Sequence, residues 1–273
     1  MDGHIDWISF TIPAKLPILA PEQLLQTTYQ KLRKDYPNVT GEIIQKHNYV
    51  PFVGRAPYRF ALANSDRSVR IYGGGSNDTI LIEISGRGCD GIRDHALARR
   101  ICGEFSNRAT RLDYAVDIRC RTLPTNFASK RKINTFRSNA TIQSDTGETV
   151  YLGSPKSDRF ARIYRYHHPH PRSELLRVEF VFRRGLARSA VGHLAQSESA
   201  QAFIASCGNT WGLDHADWQP DHETNERLKT ESRSKTGDKT VSWLYTQVAP
   251  AIARLVKEDA LSITDFLEHV YSL

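Results

Sequence analysis

The sequence predicts an α+β fold: a mainly antiparallel β-sheet with helices packed on one face, plus a C-terminal helical hairpin. Three observations predict it. Short runs alternating apolar and polar residues recur at close spacing, which favours hairpin-linked antiparallel strands. Segments with apolar residues three and four apart lie between and after them, as amphipathic helices do. Hydrophobic residues are 40% of the 273 and charged residues 25%, so the chain can bury a sizeable core.

Residues 6–12 (DWISFTI) alternate enough for a first strand, closed by Pro13. Residues 21–36 read as a helix, with Pro21 in its first turn, Leu24, Leu25, Thr28 and Leu32 at helical spacing, and Pro37 after it. Strands are expected at 42–48, 58–63 and 69–72, and Gly73-Gly74-Gly75 turns into a further strand at 79–85. Residues 91–108 form a second helix, with Ile92, His95, Ala96, Arg99 and Cys102 near one face. Residues 111–120 (RLDYAVDIRC) alternate strictly and read as a strand, while 126–137 are basic and partly helical. Strands follow at 149–153, 160–167 and 175–183, then helices at 185–196 and 199–206. Residues 1–212 form one α+β domain on this reading. Residues 213–240 are a polar linker or loop with almost no apolar periodicity. Residues 241–273 form the helical hairpin, with Trp243, Leu244, Val248 and Ile252 on one helix and Ile263, Phe266 and Val270 on the next.

The net charge is +7, but it is not evenly spread. Residues 97–188 hold 19 Lys/Arg against 8 Asp/Glu, a balance of +11, and 16 of those cations are Arg. The rest of the chain is net negative. Arginine presents a planar fork of donors that suits phosphate and stacks on bases. The excess is therefore either a solvated basic face or a polyanion site, with nucleic acid the favoured polyanion. The four cysteines stand far apart without ligand spacing, which disfavours a zinc finger or a disulfide framework and fits a reducing cytoplasm. No apolar run approaches the roughly 20 residues of a membrane span, and MDGHID is unlike a signal peptide. The Gly-rich turn lacks the Lys-Ser/Thr of a P-loop, and there is no GxGxxG, GxSxG or HExxH.

Strand periodicity places the candidate chemistry. In RLDYAVDIRC it puts Arg111, Asp113, Ala115 and Asp117 on one face, with room over the small Ala115. Residues 175–183 (LLRVEFVFR) place Arg177, Glu179 and Val181 on one face. Residues 160–167 (FARIYRYH) place Phe160, Arg162, Tyr164 and Tyr166 together. The acids are either salt-bridged strand faces or an oxygen-rich patch of the kind Mg²⁺ or Mn²⁺ takes. A tyrosine beside an arginine can act as a nucleophile toward phosphate; strands are also simply rich in tyrosine. The run His167-His168-Pro169-His170-Pro171 contains a His-x-His pair, but proline breaks a strand interior, so it reads as a loop.

Taken together and in order, RLDYAVDI, TVYLGSPKSDRFARIYRY and LLRVEFVFRRGLARSAV resemble the replication initiation factor family, the rolling-circle initiators of plasmids and filamentous phages. The opening IDWISFT and the tail KTVSWLYTQVAPAIARL look like phage-type members. The resemblance implies an origin-specific DNA nickase and strand transferase. In such an enzyme a tyrosine attacks a phosphodiester, keeps the 5′ phosphate as an ester and frees a 3′-OH primer. It implies that Asp113, Asp117 and Glu179 hold Mg²⁺ or Mn²⁺, and that Tyr164, ahead of Tyr166, is the nucleophile. Arg165-Tyr166 stands where the family has Asp/Glu-Lys. That departure keeps open an alternative: a non-catalytic DNA-binding regulator of replication or copy number on the same fold. The cations expected on DNA are Arg111, Lys130, Arg131, Lys132, Lys156, Arg159, Arg162 and Arg177. The implied partners are origin DNA with an extruded single-stranded hairpin and a host helicase, with the chain acting as a homodimer.

Overall fold

A computed structural model of the chain describes residues 1–14, 60–63, 67–74, 79–131, 139–145, 147–166 and 175–213, with isolated positions elsewhere. Among these residues the strands are β1 (Asp2–Pro13), β2 (Phe60–Ala63), β3 (Val69–Gly73), β4 (Thr79–Ser85), β5 (Ala109–Arg119), β6 (Asn139–Ser144), β7 (Gly147–Leu152), β8 (Arg159–Arg165) and β9 (Leu175–Arg183). They form one sheet in the order β2-β3-β4-β1-β5-β9-β8-β7-β6. Every pairing is antiparallel. The helices are α1 (His95–Phe105), α2 (Pro124–Ser129), α3 (Arg184–Gln196) and α4 (Ala200–Trp211). The fold is the α+β arrangement the sequence predicts.

Alternation turns one face of the sheet apolar. Ile8, Leu112, Val116, Val178, Phe180 and Ile163 all face that side and are fully buried. The helices bring matching stripes at steps of three and four: Ala98, Ile101, Cys102 and Phe105 on α1, and Ala187, Ala190, Val191 and Leu194 on α3. Phe105 stacks on Phe10 with ring centroids 3.9 Å apart. Trp211, at the end of α4, lies 4.9 Å from Phe180 and 5.4 Å from Phe182.

Several boundaries differ from the sequence reading, each for a local reason. The helix expected at 91–108 begins only at His95, because the Asp94 carboxylate accepts from the Leu97 N–H at 2.8 Å and caps it. A 3₁₀ segment, Gly86–Ile92, precedes it. The basic stretch expected to be partly helical forms its helix early, with Pro124 in the first turn. Strand β6 was not foreseen. It is an edge strand exposed along its whole length, so it has no buried face to impose an apolar period. The expected strand at 42–48, most of the helix at 21–36 and the histidine-proline run from 167 lie outside the described residues.

The chain divides into two compact units, Met1–Thr230 and Glu231–Leu273. The first unit runs past the boundary expected at residue 212, because Leu213, Trp218 and Leu228 are buried in its core. In the second unit, described positions such as Ala249, Ile252, Ala253 and Thr264 are helical; the rest of the expected hairpin lies outside the described residues. Among the described residues no helix is long and apolar enough to cross a membrane.

Trp218 also explains a glycine inside α4. A Cβ on Gly208 would lie 2.1 Å from Nε1 of Trp218, so the helix needs a residue without one. Gly208→Ala is expected to lower stability by about 1–3 kcal/mol through overpacking. Trp218→Ala is expected to cost about 3–5 kcal/mol, as large core truncations do. Urea unfolding followed by circular dichroism checks both, and an unchanged midpoint for Trp218→Ala would show that residues beyond 212 are not part of the core.

Candidate functional site

The second face of the sheet is charged, and register sets its layout. On β5, Asp113 stands opposite Val181 of β9, Ala115 opposite Glu179 and Asp117 opposite Arg177. On β8, Arg162 stands opposite Glu179 and Tyr164 opposite Arg177. On β1, His4 stands opposite Ala115 and Trp7 opposite Asp113. Directly opposed residues point to the same side, so these groups share one surface. The faces that strand periodicity predicts for β5, β8 and β9 are the faces observed.

Each of the three expected acids is held by an arginine fork. Arg111 donates from Nε to Asp113 Oδ1 at 2.8 Å and from Nη2 to Oδ2 at 2.5 Å. Arg177 donates from Nε to Asp117 Oδ1 at 2.7 Å and from Nη2 to Oδ2 at 2.8 Å. Arg162 donates from Nε to Glu179 Oε2 at 2.7 Å and from Nη2 to Oε1. Asp113 and Glu179 are fully buried, and the Asp117 side chain is 14% exposed. A buried carboxylate requires such a partner, because desolvation of an unpaired charge is far costlier than the pair.

Tyr164 joins this network directly. Its hydroxyl donates to Glu179 Oε2 at 3.0 Å, the oxygen that also accepts from Arg162 Nε. Burial, and then the charge of Glu179, push the Tyr164 phenol well above its ordinary value, so it holds its proton at neutral pH. Burial likewise raises the Asp113 carboxyl, against the pull of Arg111. Tyr166 has a different place. It lies just beyond β8, and the Arg177 guanidinium sits 3.6 Å above its ring. The Tyr164 hydroxyl bonds a site carboxylate.

The expected DNA contacts do not form one surface. Arg111, Arg162 and Arg177 lie on the charged face. Arg159 stands opposite Phe182 and therefore points to the helix side. Lys130 and Arg131 follow α2, which buries Phe127 in the core shared with the helices. Lys156 is exposed in the turn between β7 and β8, and Lys132 lies outside the described residues.

The sequence reading missed Asp6. Ile5 pairs with Tyr114 and Trp7 with Asp113, so β1 takes two steps where β5 takes one, and Asp6 is the extra residue of a β-bulge. Its carboxylate lies 3.5 Å from Arg177 Nη1. Burial and the charge of Glu179 raise its carboxyl above the usual range. The sequence carried a signal, because the apolar parity shifts between Ile5 and Ile8. Trp7 was also overlooked, and Arg111 lies 3.9 Å above its ring.

A divalent cation does not fit this arrangement. Both oxygens of Asp113, Asp117 and Glu179 already face a guanidinium. Among the described residues no three acids, histidines or cysteines group to hold a metal. The salt-bridged reading of the acids, left open by the sequence, is the one observed.

The comparisons with known proteins come to the same region. A family described as replication initiation factor matches residues 107–270, which include all three acids and both tyrosines. Among solved structures, the chain is similar to the rolling circle replication initiator protein from Geobacillus stearothermophilus. The two share 18% identity over 87% of this chain and 90% of that one, with a TM-score of 0.53, which is a likeness of fold. No curated protein matches the sequence significantly.

The forks make a stability prediction. Removing one partner of a buried pair leaves an uncompensated charge and costs about 3–5 kcal/mol. Arg162→Ala is expected to destabilise the fold on that scale, and Arg111→Ala by less, because Asp113, whose carboxyl burial already raises, can take up a proton once Arg111 is gone. Guanidinium unfolding checks this. Losses under about 1 kcal/mol, the range of a surface pair, would mean the acids are solvated.

Proposed function

Because the chain belongs to the replication initiation factor family, we propose that it starts rolling-circle replication by nicking one strand of origin DNA, with Tyr164 as the nucleophile. The observation that carries this reading is the hydrogen bond from the Tyr164 hydroxyl to Glu179 Oε2, beside Arg162. A phenol held protonated by its surroundings needs an acceptor before it can attack, and Glu179 supplies one.

The step balances on these residues. The Tyr164 oxygen bonds to phosphorus while the bond from phosphorus to the 3′ oxygen breaks. The phenolic proton passes to Glu179 Oε2. The leaving 3′ oxygen takes a proton from water and becomes the 3′-OH primer, while the 5′ phosphate stays as a tyrosine ester. Phosphoryl transfer asks a protein mainly for positioning and charge neutralisation. Arg162 and Arg111 would supply both, because their side chains are partly exposed on the charged face. No step here runs through Mg²⁺ or Mn²⁺. This reading takes an origin hairpin as substrate, with a host helicase as partner and a homodimer as the working form in the cytoplasm.

A second reading has its own support. Arg165, at a position the family fills with an acid, turns to the helix side and donates to the carbonyls of Cys120 and Thr122. A structural arginine there suits a DNA-binding regulator that does not cut. Tyr164→Phe separates the two. The nickase loses its covalent DNA adduct on denaturing gels and keeps DNA affinity, because only the phenolic oxygen is removed. An adduct that persists in Tyr164→Phe at the wild-type level moves the role to Tyr166. No adduct even from the wild type favours the regulator.

DNA affinity is expected to fall with salt with a log–log slope of about −4 to −7, from several phosphate contacts at 0.7–0.9 each. Lys130, Arg131 and Lys132 changed together to Ala should flatten that slope and weaken all sequences alike. Fluorescence anisotropy across a salt series reads both, and a flat response would leave the basic excess as a solvated face.

A further inference from the structure

We infer that strand cleavage at this site proceeds without a divalent cation, with Arg162 in the place against the scissile phosphate that an ion would take. The inference rests on the nicking reading above and goes beyond it. Two of the acids expected to ligate an ion, Asp113 and Glu179, are turned inward onto arginines that are turned outward, whereas at the third pair Asp117 is 14% exposed and Arg177 4%. Asp113 and Glu179 are wholly buried, whereas the side chains of Arg111 and Arg162 are 26% and 33% exposed. At Asp113 and Glu179, anything approaching from solvent therefore meets guanidinium before it meets carboxylate. A hard cation needs several oxygens within about 2.0–2.6 Å and would have to reach them past like charge.

A phosphate meets the opposite situation. Arg162 binds Glu179 through Nε and Nη2, and among the described residues its Nη1 has no acceptor. Arg111 binds Asp113 in the same way and leaves its own Nη1 without one. Oε2 of Glu179 accepts from both Arg162 Nε and the Tyr164 hydroxyl. A phosphorus atom within reach of the Tyr164 oxygen is thus beside the outer edge of Arg162. A fork anchored by a carboxylate behind it is pre-organised and keeps its remaining N–H groups for the ligand. Arg177 is differently employed, since its third nitrogen is directed to Asp6.

The test uses the wild-type chain. Supercoiled DNA bearing the origin of its own replicon is incubated with the protein in EDTA and, in parallel, in Mn²⁺, and the covalent adduct is timed on denaturing gels. Free Mn²⁺ is also titrated against the protein alone by electron paramagnetic resonance. The inference expects equal adduct rates in EDTA and Mn²⁺, and a Mn²⁺ signal that the protein does not diminish. An adduct that forms only with Mn²⁺, or one equivalent of Mn²⁺ bound by wild type and lost in Glu179→Gln, overturns the inference and leaves nicking in place. No adduct in either condition overturns the nicking reading, and this inference with it.

Discussion

The pairing of buried carboxylates with arginine forks on the charged face of the sheet is the constraint on which the other features depend. One face of the sheet is closed by helices in the ordinary apolar way. The opposite face carries Asp113, Glu179 and Arg177, none of which is more than 3% exposed. Those charges are tolerable only because each acid finds both of its oxygens occupied. Two of the forks cross strands, Arg162 to Glu179 and Arg177 to Asp117, so they tie β8 to β9 and β9 to β5. A one-residue slip between these strands would turn acids and arginines to the apolar side and the apolar row to the charged side. Register is therefore specified twice, once by the packing against the helices and once by charge.

Much of this was legible in the sequence. Strict alternation in RLDYAVDIRC and LLRVEFVFR placed the acids and arginines on the correct faces, because period-two patterning is strongest in long central strands buried on one side. The order of motifs carried the family, which the match over residues 107–270 shows. Three things were not legible. Strand neighbours cannot be read from alternation, so which arginine serves which acid was hidden until β5, β9 and β8 were found side by side. β6 gave no apolar signal. Residues 213–240 read as polar, and among the described residues of that segment Leu213, Trp218 and Leu228 are buried at a spacing with no period.

The two tyrosines show how a small offset in position changes chemistry. Tyr164 belongs to β8 and takes its neighbours from the sheet, so its hydroxyl is directed onto Glu179. Tyr166 lies beyond the strand and offers its ring to Arg177. The same arginine thus meets an acid in its plane and an aromatic face above it, the two surfaces guanidinium favours. Residue type alone made the tyrosines near equals, and backbone placement separates them.

The bulge in β1 has a consequence for how such a chain can change over time. Asp6 is the only residue between Ile5 and Trp7, and those two already point to opposite faces. Deleting Asp6 would close this bulge and leave every other side chain of β1 on the side it now occupies. A single codon can therefore be gained or lost here without the frame-wide reversal that an indel normally inflicts on a strand. The carboxylate beside Arg177 is in this sense a detachable insert, and lineages that share the sheet are free to differ in it.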